Sequence, residues 1–135
     1  MPFITSITRH PEFVQLAASG PAEMRNFVDL VATVESETVY WSDRRVLVDL
    51  RDVQGRLTAA EQVFLGEMVA QSLPHLERLA SLVPPDQITR NSEAAAQELG
   101  MQLRVFVCLE AAVAWLSTTP AEADGASAAR QQQAH

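Results

Sequence analysis

Lysine is missing from this chain altogether. Its ten basic residues are all arginine, seventeen acidic residues outnumber them, and the formal net charge is −7. Without lysine a GxxxxGK[ST] phosphate loop is impossible, and the five glycines form neither a GxGxxG fingerprint nor a GxSxG elbow. The arginines are scattered and make no basic face, so nucleic acid is not an expected partner. The same acidity disfavours stable association with anionic membranes. Cysteine occurs once, as Cys108, so no intramolecular disulfide can form. That usage suits a reducing compartment, and a cytoplasmic location is expected. The opening residues MPFITSITRHPEF lack the basic and long apolar regions of a signal peptide. No apolar run approaches the ~18 residues of a spanning helix. His10, His75 and His135 stand far apart with no ligand-spaced Cys, Asp or Glu beside them, so neither metal nor cofactor is expected.

What is present is apolar content: 47% of 135 residues, enough for one ordinary domain with a real core. Residues 3–8 and 13–18 alternate around His10-Pro11 and read as a β-hairpin. Gly20-Pro21 then opens a helix, proline being tolerated at the first helical position. In that helix Met24, Phe27, Val28, Leu30, Val31 and Val34 form an apolar stripe, with Arg25, Asn26, Asp29 and Thr33 opposite. Residues 46–50 are apolar except for Asp49, the pattern of a central parallel strand covered on both faces. Thr58-Ala-Ala-Glu61 has the spacing of a capping box and starts a helix over 59–72, which Pro74 ends. A strand over 78–83 follows. Next comes a short helix capped by Asn91 or Ser92 and stopped at Gly100, then a strand over 103–107. A last helix carries the stripe Leu109, Ala112, Val113 and Leu116. From Thr118 onward the chain has too little apolar content to offset its ordering entropy, so 118–135 is expected to be a disordered tail.

The order ββαβαβαβα specifies the α/β class: a single-layer, mostly parallel five-stranded sheet with an N-terminal antiparallel hairpin and four helices, over residues 1–117. The segment 46–73 joins strand, loop and capped helix, the kind of junction where open α/β sheets present a working surface. There Asp49 and Asp52 stand beside Arg51 and Arg56. Paired carboxylates can do acid–base work, but an ion-paired loop is the simpler account, and no complete catalytic constellation appears. A carboxylate inside an apolar strand needs partners, so backbone N–H groups or an arginine should hold Asp49. Cys108, between the last strand and the last helix, reads as a small buried hydrophobe rather than an activated thiol. In the helix after Thr58, residues Phe64, Leu65, Met68, Val69 and Leu73 extend apolar surface beyond one stripe, implying deep burial or a second contact. Tyr40-Trp41 pose the same choice.

The junction also carries a resemblance. Asp49-Leu50 ending a strand, Val53 and Thr58 at the start of a helix resemble the STAS domains, the anti-sigma-factor antagonists, and especially the SpoIIAA-like group of bacterial proteins. The stretch from Leu82-Val83-Pro84-Pro85 through Asn91-Ser92 to Leu103-Arg104-Val105-Phe106 is also similar to SpoIIAA-like proteins. The Asp-Ser-Ser-Gly of the family's switch helix is replaced here by Arg56-Leu57-Thr58-Ala59. The resemblance implies a non-enzymatic regulatory module that binds a protein partner through the helix after Thr58 and the loops 51–57 and 84–91. The partner-binding candidates are Arg51, Asp52, Arg56, Thr58, Phe64, Leu65 and Met68, and Thr58 is the candidate phosphorylation site. A phosphate there would meet a helix N-terminus, with Arg51 and Arg56 near in sequence. The alternative it implies is a carrier of small apolar, lipid-like ligands of CRAL-TRIO type, with Phe64, Met68, Phe106 and Trp115 lining a pocket. A homodimer could form through the same helix or through the edge hairpin.

Overall fold

The computed structural model describes residues 1–41, 44–85 and 89–117. The proposed tail at 118–135 lies outside them, as do the side chains of Tyr40 and Trp41. Strands β1 (Ile4–Arg9) and β2 (Val14–Pro21) form the expected hairpin. Pro11 sits in its turn, the His10 N–H bonds Phe13 O at 2.9 Å, and the two rings stack at 4.5 Å. Then come α1 (Met24–Trp41), β3 (Arg45–Gln54), α2 (Ala59–Ser72), β4 (Arg78–Leu82), α3 (Asn91–Glu98), β5 (Leu103–Phe106) and α4 (Leu109–Ser117). The sheet order is β1-β2-β3-β4-β5, antiparallel at β1–β2 and parallel elsewhere, with β3 in the centre.

Because each parallel strand is placed one step further along the sheet, right-handed crossovers put α1, α2 and α3 on one face. Their core joins Phe27, Leu30, Val31 and Val34 to Val46, Val48, Val69, Leu73, Leu79 and Ala96. Helix α4 turns back across the other face and packs Ala112 and Leu116 on Leu47, Ala80 and Leu82. Adjacent residues Val46 and Leu47 are thus both fully buried, as a doubly covered strand requires. The backbone carbonyls at the end of α4 accept from two arginines rooted in the sheet: Arg45 reaches Leu116 O and the buried Arg78 reaches Trp115 O. Cations there also complement the helix dipole.

Three elements differ from the sequence reading. Gly20-Pro21 does not start α1; Pro21 pairs with Gln54 at the end of β2, and the helix begins at Met24. Pairing along a long β3 outweighs the local Gly-Pro signal. Asn26 is not on the wet face of α1. It is buried, and its amide donates to Met1 O at 2.8 Å and Pro21 O at 3.0 Å, so it ties down the N-terminus. Cys108 is exposed rather than buried, lying just before α4, where its carbonyl accepts the Ala112 N–H.

Candidate functional site

Strand β3 does not stop where its apolar run stops. It continues to Gln54, and Val53, read from the sequence as a loop residue, lies within it. The register with β2 runs Ala17↔Asp49 and then Ser19↔Asp52, so β3 holds one extra residue at this point. Such a bulge resets the alternation of side chains. It places both Leu50 and Val53 against the helical layer, where strict alternation would send them to opposite faces.

Those two residues floor a cleft of about 110 Å³ at the carboxyl ends of the parallel strands. Phe27 and Leu57 close one side, Leu65 of α2 another, and Val83 and Val105 the far wall. Ser81, Thr89, Ser92, Gln62 and Arg56 supply its polar groups. Gln62 organises the mouth. Its amide donates to Leu57 O at 3.0 Å, and its oxygen accepts from Thr89 Oγ1 at 2.7 Å and Asn91 Nδ2 at 2.8 Å. One side chain therefore joins the loop before α2 to the loop before α3. The N-cap position of α3 falls on Arg90, whose side chain has no acceptor, so neither Asn91 nor Ser92 caps the helix.

The roof of the cleft is set by glycine. A Cβ at Gly66 would stand 2.3 Å from Ser92 O and 3.0 Å from Ala95 Cβ, so α2 and α3 touch almost backbone to backbone. Nothing in the sequence besides a glycine inside a helix hinted at this.

The predicted residues divide into three groups. Arg56 and Leu65 line the cleft. Thr58 stands beside it as the N-cap of α2: its hydroxyl accepts the Glu61 N–H at 3.1 Å while Glu61 Oε1 accepts the Thr58 N–H at 2.9 Å, a complete capping box. Phe64 is 57% exposed and Val63 39%, on the outer flank of the same helix. The other residues do not converge on the cleft. Met68 packs into the helical-side core. Asp49 shares a face with Leu47, away from α2, and Arg51 is bonded to it instead of approaching Thr58. Asp52 lies beyond the bulge, exposed, with Arg51 as its charged neighbour. Nor do Phe64, Met68, Phe106 and Trp115 form one pocket, because α2 and α4 lie on opposite faces of the sheet. Among the described residues no three His, Cys, Asp or Glu side chains are grouped as a metal cage needs. His75 accepts or donates a 2.7 Å hydrogen bond with the buried Thr38 and joins the loop after α2 to α1.

Asp49 does have the partner its burial demands. Arg51 grips it through Nε at 3.0 Å, Nη2 at 2.9 Å and its own backbone N–H at 3.1 Å. Burial by itself would raise the Asp49 pKa, but the side-chain bonds, the backbone bond and the charge of Arg51 together outweigh it and hold the carboxyl below its usual 3.8. A depressed folded-state pKa contributes stability above the unfolded value, and that contribution is lost as pH falls through the folded one. Arg51→Ala should raise the Asp49 titration midpoint, read by carboxyl-carbon NMR. It should also lower stability above the usual carboxylate range, with the gap between variant and wild type closing as pH falls and Asp49 is protonated in both. An unchanged midpoint would show that the pair does not set this carboxyl.

Fold and cleft together give a small α/β module with an open cleft at the carboxyl ends of β3, β4 and β5, roofed by α2 and α3. Residues 13–117 match the SpoIIAA-like family model, and the chain belongs to that family. Two solved structures share the fold. An anti-sigma factor antagonist from Mycobacterium paratuberculosis superposes with a TM-score of 0.61 at 14% identity, over 86% of this chain and 95% of that one. An uncharacterized protein from Shewanella loihica with a SpoIIAA-like fold gives 0.52 at 16% identity, over 85% and 94%. No match emerges among curated proteins. No described helix is long and apolar enough to cross a membrane.

Proposed function

We propose that this chain is a non-enzymatic regulatory module that binds a protein partner at the carboxyl edge of its sheet. The observation that carries the reading is an open, mostly apolar cleft beside an exposed aromatic on the same helix. Leu65 faces the cleft, and Phe64 and Val63 project from the outer flank of α2. Exposed apolar groups next to a concavity with a polar rim are the composition of a partner-binding patch. The structural neighbour that is an anti-sigma factor antagonist makes an anti-sigma factor the first partner to test.

Cleft size favours this reading over the lipid carrier. A cavity of roughly 150 Å³ holds a benzene-sized molecule, whereas drug-sized and larger ligands occupy roughly 300–1,000 Å³. At about 110 Å³ the cleft suits an apolar side chain better than an acyl tail. Within the regulatory reading Thr58 is the place for a modification. Phosphate at Thr58 would crowd the Glu61 carboxylate now bonded to the Thr58 N–H, so it would open the capping box at this edge. The test is titration of anti-sigma factors from the same genome against the full chain. Phe64→Glu, a change at an exposed position, should weaken the complex by more than about tenfold, some 1.4 kcal/mol. Equal binding by the variant would contradict this placement of the interface.

A further inference from the structure

The acidity of this chain is not spread evenly. Helices α1, α2 and α3 carry seven acidic residues and one arginine, a net charge of −6 out of the chain's −7. Helices α2 and α3 hold no basic residue at all. Part of the negative charge is already spent. Glu37 pairs with Arg9 at 3.2 Å, Glu93 pairs with Arg90 at 2.8 Å, and the Glu61 carboxylate closes the capping box. Glu35, Glu67 and Glu98 are exposed, and among the described residues no arginine pairs with them. Helix α2 packs against both α1 and α3, so Glu35 and Glu98 stand on its two neighbours. Glu67 shares the outward face of α2 with Phe64, three residues before it and therefore one turn away.

We propose that the partner segment docking on α2 is basic and amphipathic: an apolar side chain seats against Phe64 and Val63, and Arg or Lys side chains beside it pair with Glu67. The inference rests on the reading of this edge as a protein-binding site and adds the chemistry of the occupant. Covering Phe64 takes the neighbouring Glu67 carboxylate out of water as well, and a desolvated carboxylate needs a cation. Helix α2 has none to offer, so the partner must bring it. Glu35 and Glu98 widen the negative field that draws such a segment in. A second copy is the wrong occupant for α2. A dyad there would oppose two helical layers of net charge −6, and like charges set across an interface repel. The same field repels nucleic acid and anionic lipid. An uncharged apolar segment would leave Glu67 covered with no counter-charge. A desolvated aromatic anchor counts for more than a charge at the rim, so Phe64→Glu still weakens a complex of this kind.

The probe is a synthetic peptide of roughly 20 residues with leucine at helical spacing and lysine elsewhere. Its control keeps the leucines and has glutamate in place of lysine. Fluorescence anisotropy of each labelled peptide reads its binding to the full chain. The lysine peptide should bind, and the glutamate peptide at least about a hundredfold more weakly. Raising salt from about 50 to about 300 mM should weaken the lysine peptide at least about tenfold. Combining Glu35→Gln, Glu67→Gln and Glu98→Gln should also cost at least about tenfold, exposed pairs being worth up to about fivefold each. Phe64→Ala leaves the charge unchanged and should weaken binding by a similar factor, which separates a seated anchor from diffuse attraction to an acidic surface. Circular dichroism of each variant confirms that the fold is kept. No binding of either peptide overturns the proposal. So does equal binding of the two, or a lysine peptide that ignores the triple variant or Phe64→Ala. The docking edge itself is judged with an anti-sigma factor. A complex weakened by Phe64→Glu but indifferent to salt and to the triple variant keeps the edge and overturns the basic segment. A complex that ignores Phe64→Glu overturns the edge.

Discussion

Replacing Gly66 with alanine should unfold this protein more readily than any other single methyl added to α2. In an exposed helix interior that exchange gains about 1 kcal/mol, because glycine is the poorer helix former. Here the added Cβ would lie 2.3 Å from a backbone oxygen, Ser92 O, and backbone cannot rotate away as a flexible side chain can. Helices α2 and α3 must separate. Separation loosens Ala95 and Ala96 and pulls Thr89 and Asn91 from Gln62. Overpacking of this kind costs about 1–3 kcal/mol and sometimes more. We expect a net loss of about 3 kcal/mol, a fall in Tm of roughly 10 °C for a domain of this size, measured by thermal denaturation. The cleft should be lost with it, since its roof and its polar mouth rest on the same helix pair. A stability equal to wild type would mean that α2 and α3 are not packed at backbone distance.

The second large effect is expected at Arg78. This arginine is 6% exposed, its guanidinium bonds Trp115 O, and its Cζ lies 5.5 Å from the centre of the Trp115 ring. Hydrogen bonds that involve a charged group contribute about 1.5–3 kcal/mol, and truncation also takes the arginine donor from a helix-end carbonyl. Arg78→Ala should therefore cost about 3 kcal/mol in urea denaturation. The loss should be concentrated in α4, which depends on Arg78 and Arg45 for its attachment at that end. Hydrogen exchange should show α4 opening before β3 and β4. Arg78→Lys should recover only part of the loss, because an ammonium neither stacks flat on the indole nor offers a planar fork of donors. If Arg78→Ala left α4 as protected as before, apolar packing of Ala112 and Leu116 alone would be holding it.

Most of the architecture was legible because local signals and tertiary packing agree. Helix α2 spans the residues its capping box and Pro74 delimit, and the doubly apolar run at 46–50 is indeed the central strand. Where they disagree, longer-range pairing wins. Gly20-Pro21 has the form of a helix start, yet β2 continues alongside β3 to Pro21. The site was less legible for the same reason. A bulge shows in strand register and not in composition, so Val53 passed for a loop residue and the cleft floor went unseen. Spacing along one strand brought Arg51 close to Thr58 in sequence, but alternation sends it to the Asp49 side of the sheet. Gln62 looks like a solvated residue on a helix until the loops before α2 and α3 are placed on either side of it. The extra apolar surface of α2 has a divided explanation: Leu65, Met68, Val69 and Leu73 turn inward, and Phe64 and Val63 stay out.

The central claim is that the carboxyl edge of β3, β4 and β5, under α2, receives a protein partner. Methyl-resolved NMR of the full chain during titration with an anti-sigma factor addresses it most directly. The account predicts that the shifts gather at Val53, Leu57, Leu65 and Val105 around the cleft and at Val63 on α2, while Leu47 and Leu82 beneath α4 stay still. Shifts confined to the α4 face, with the cleft methyls unmoved at saturation, would contradict it.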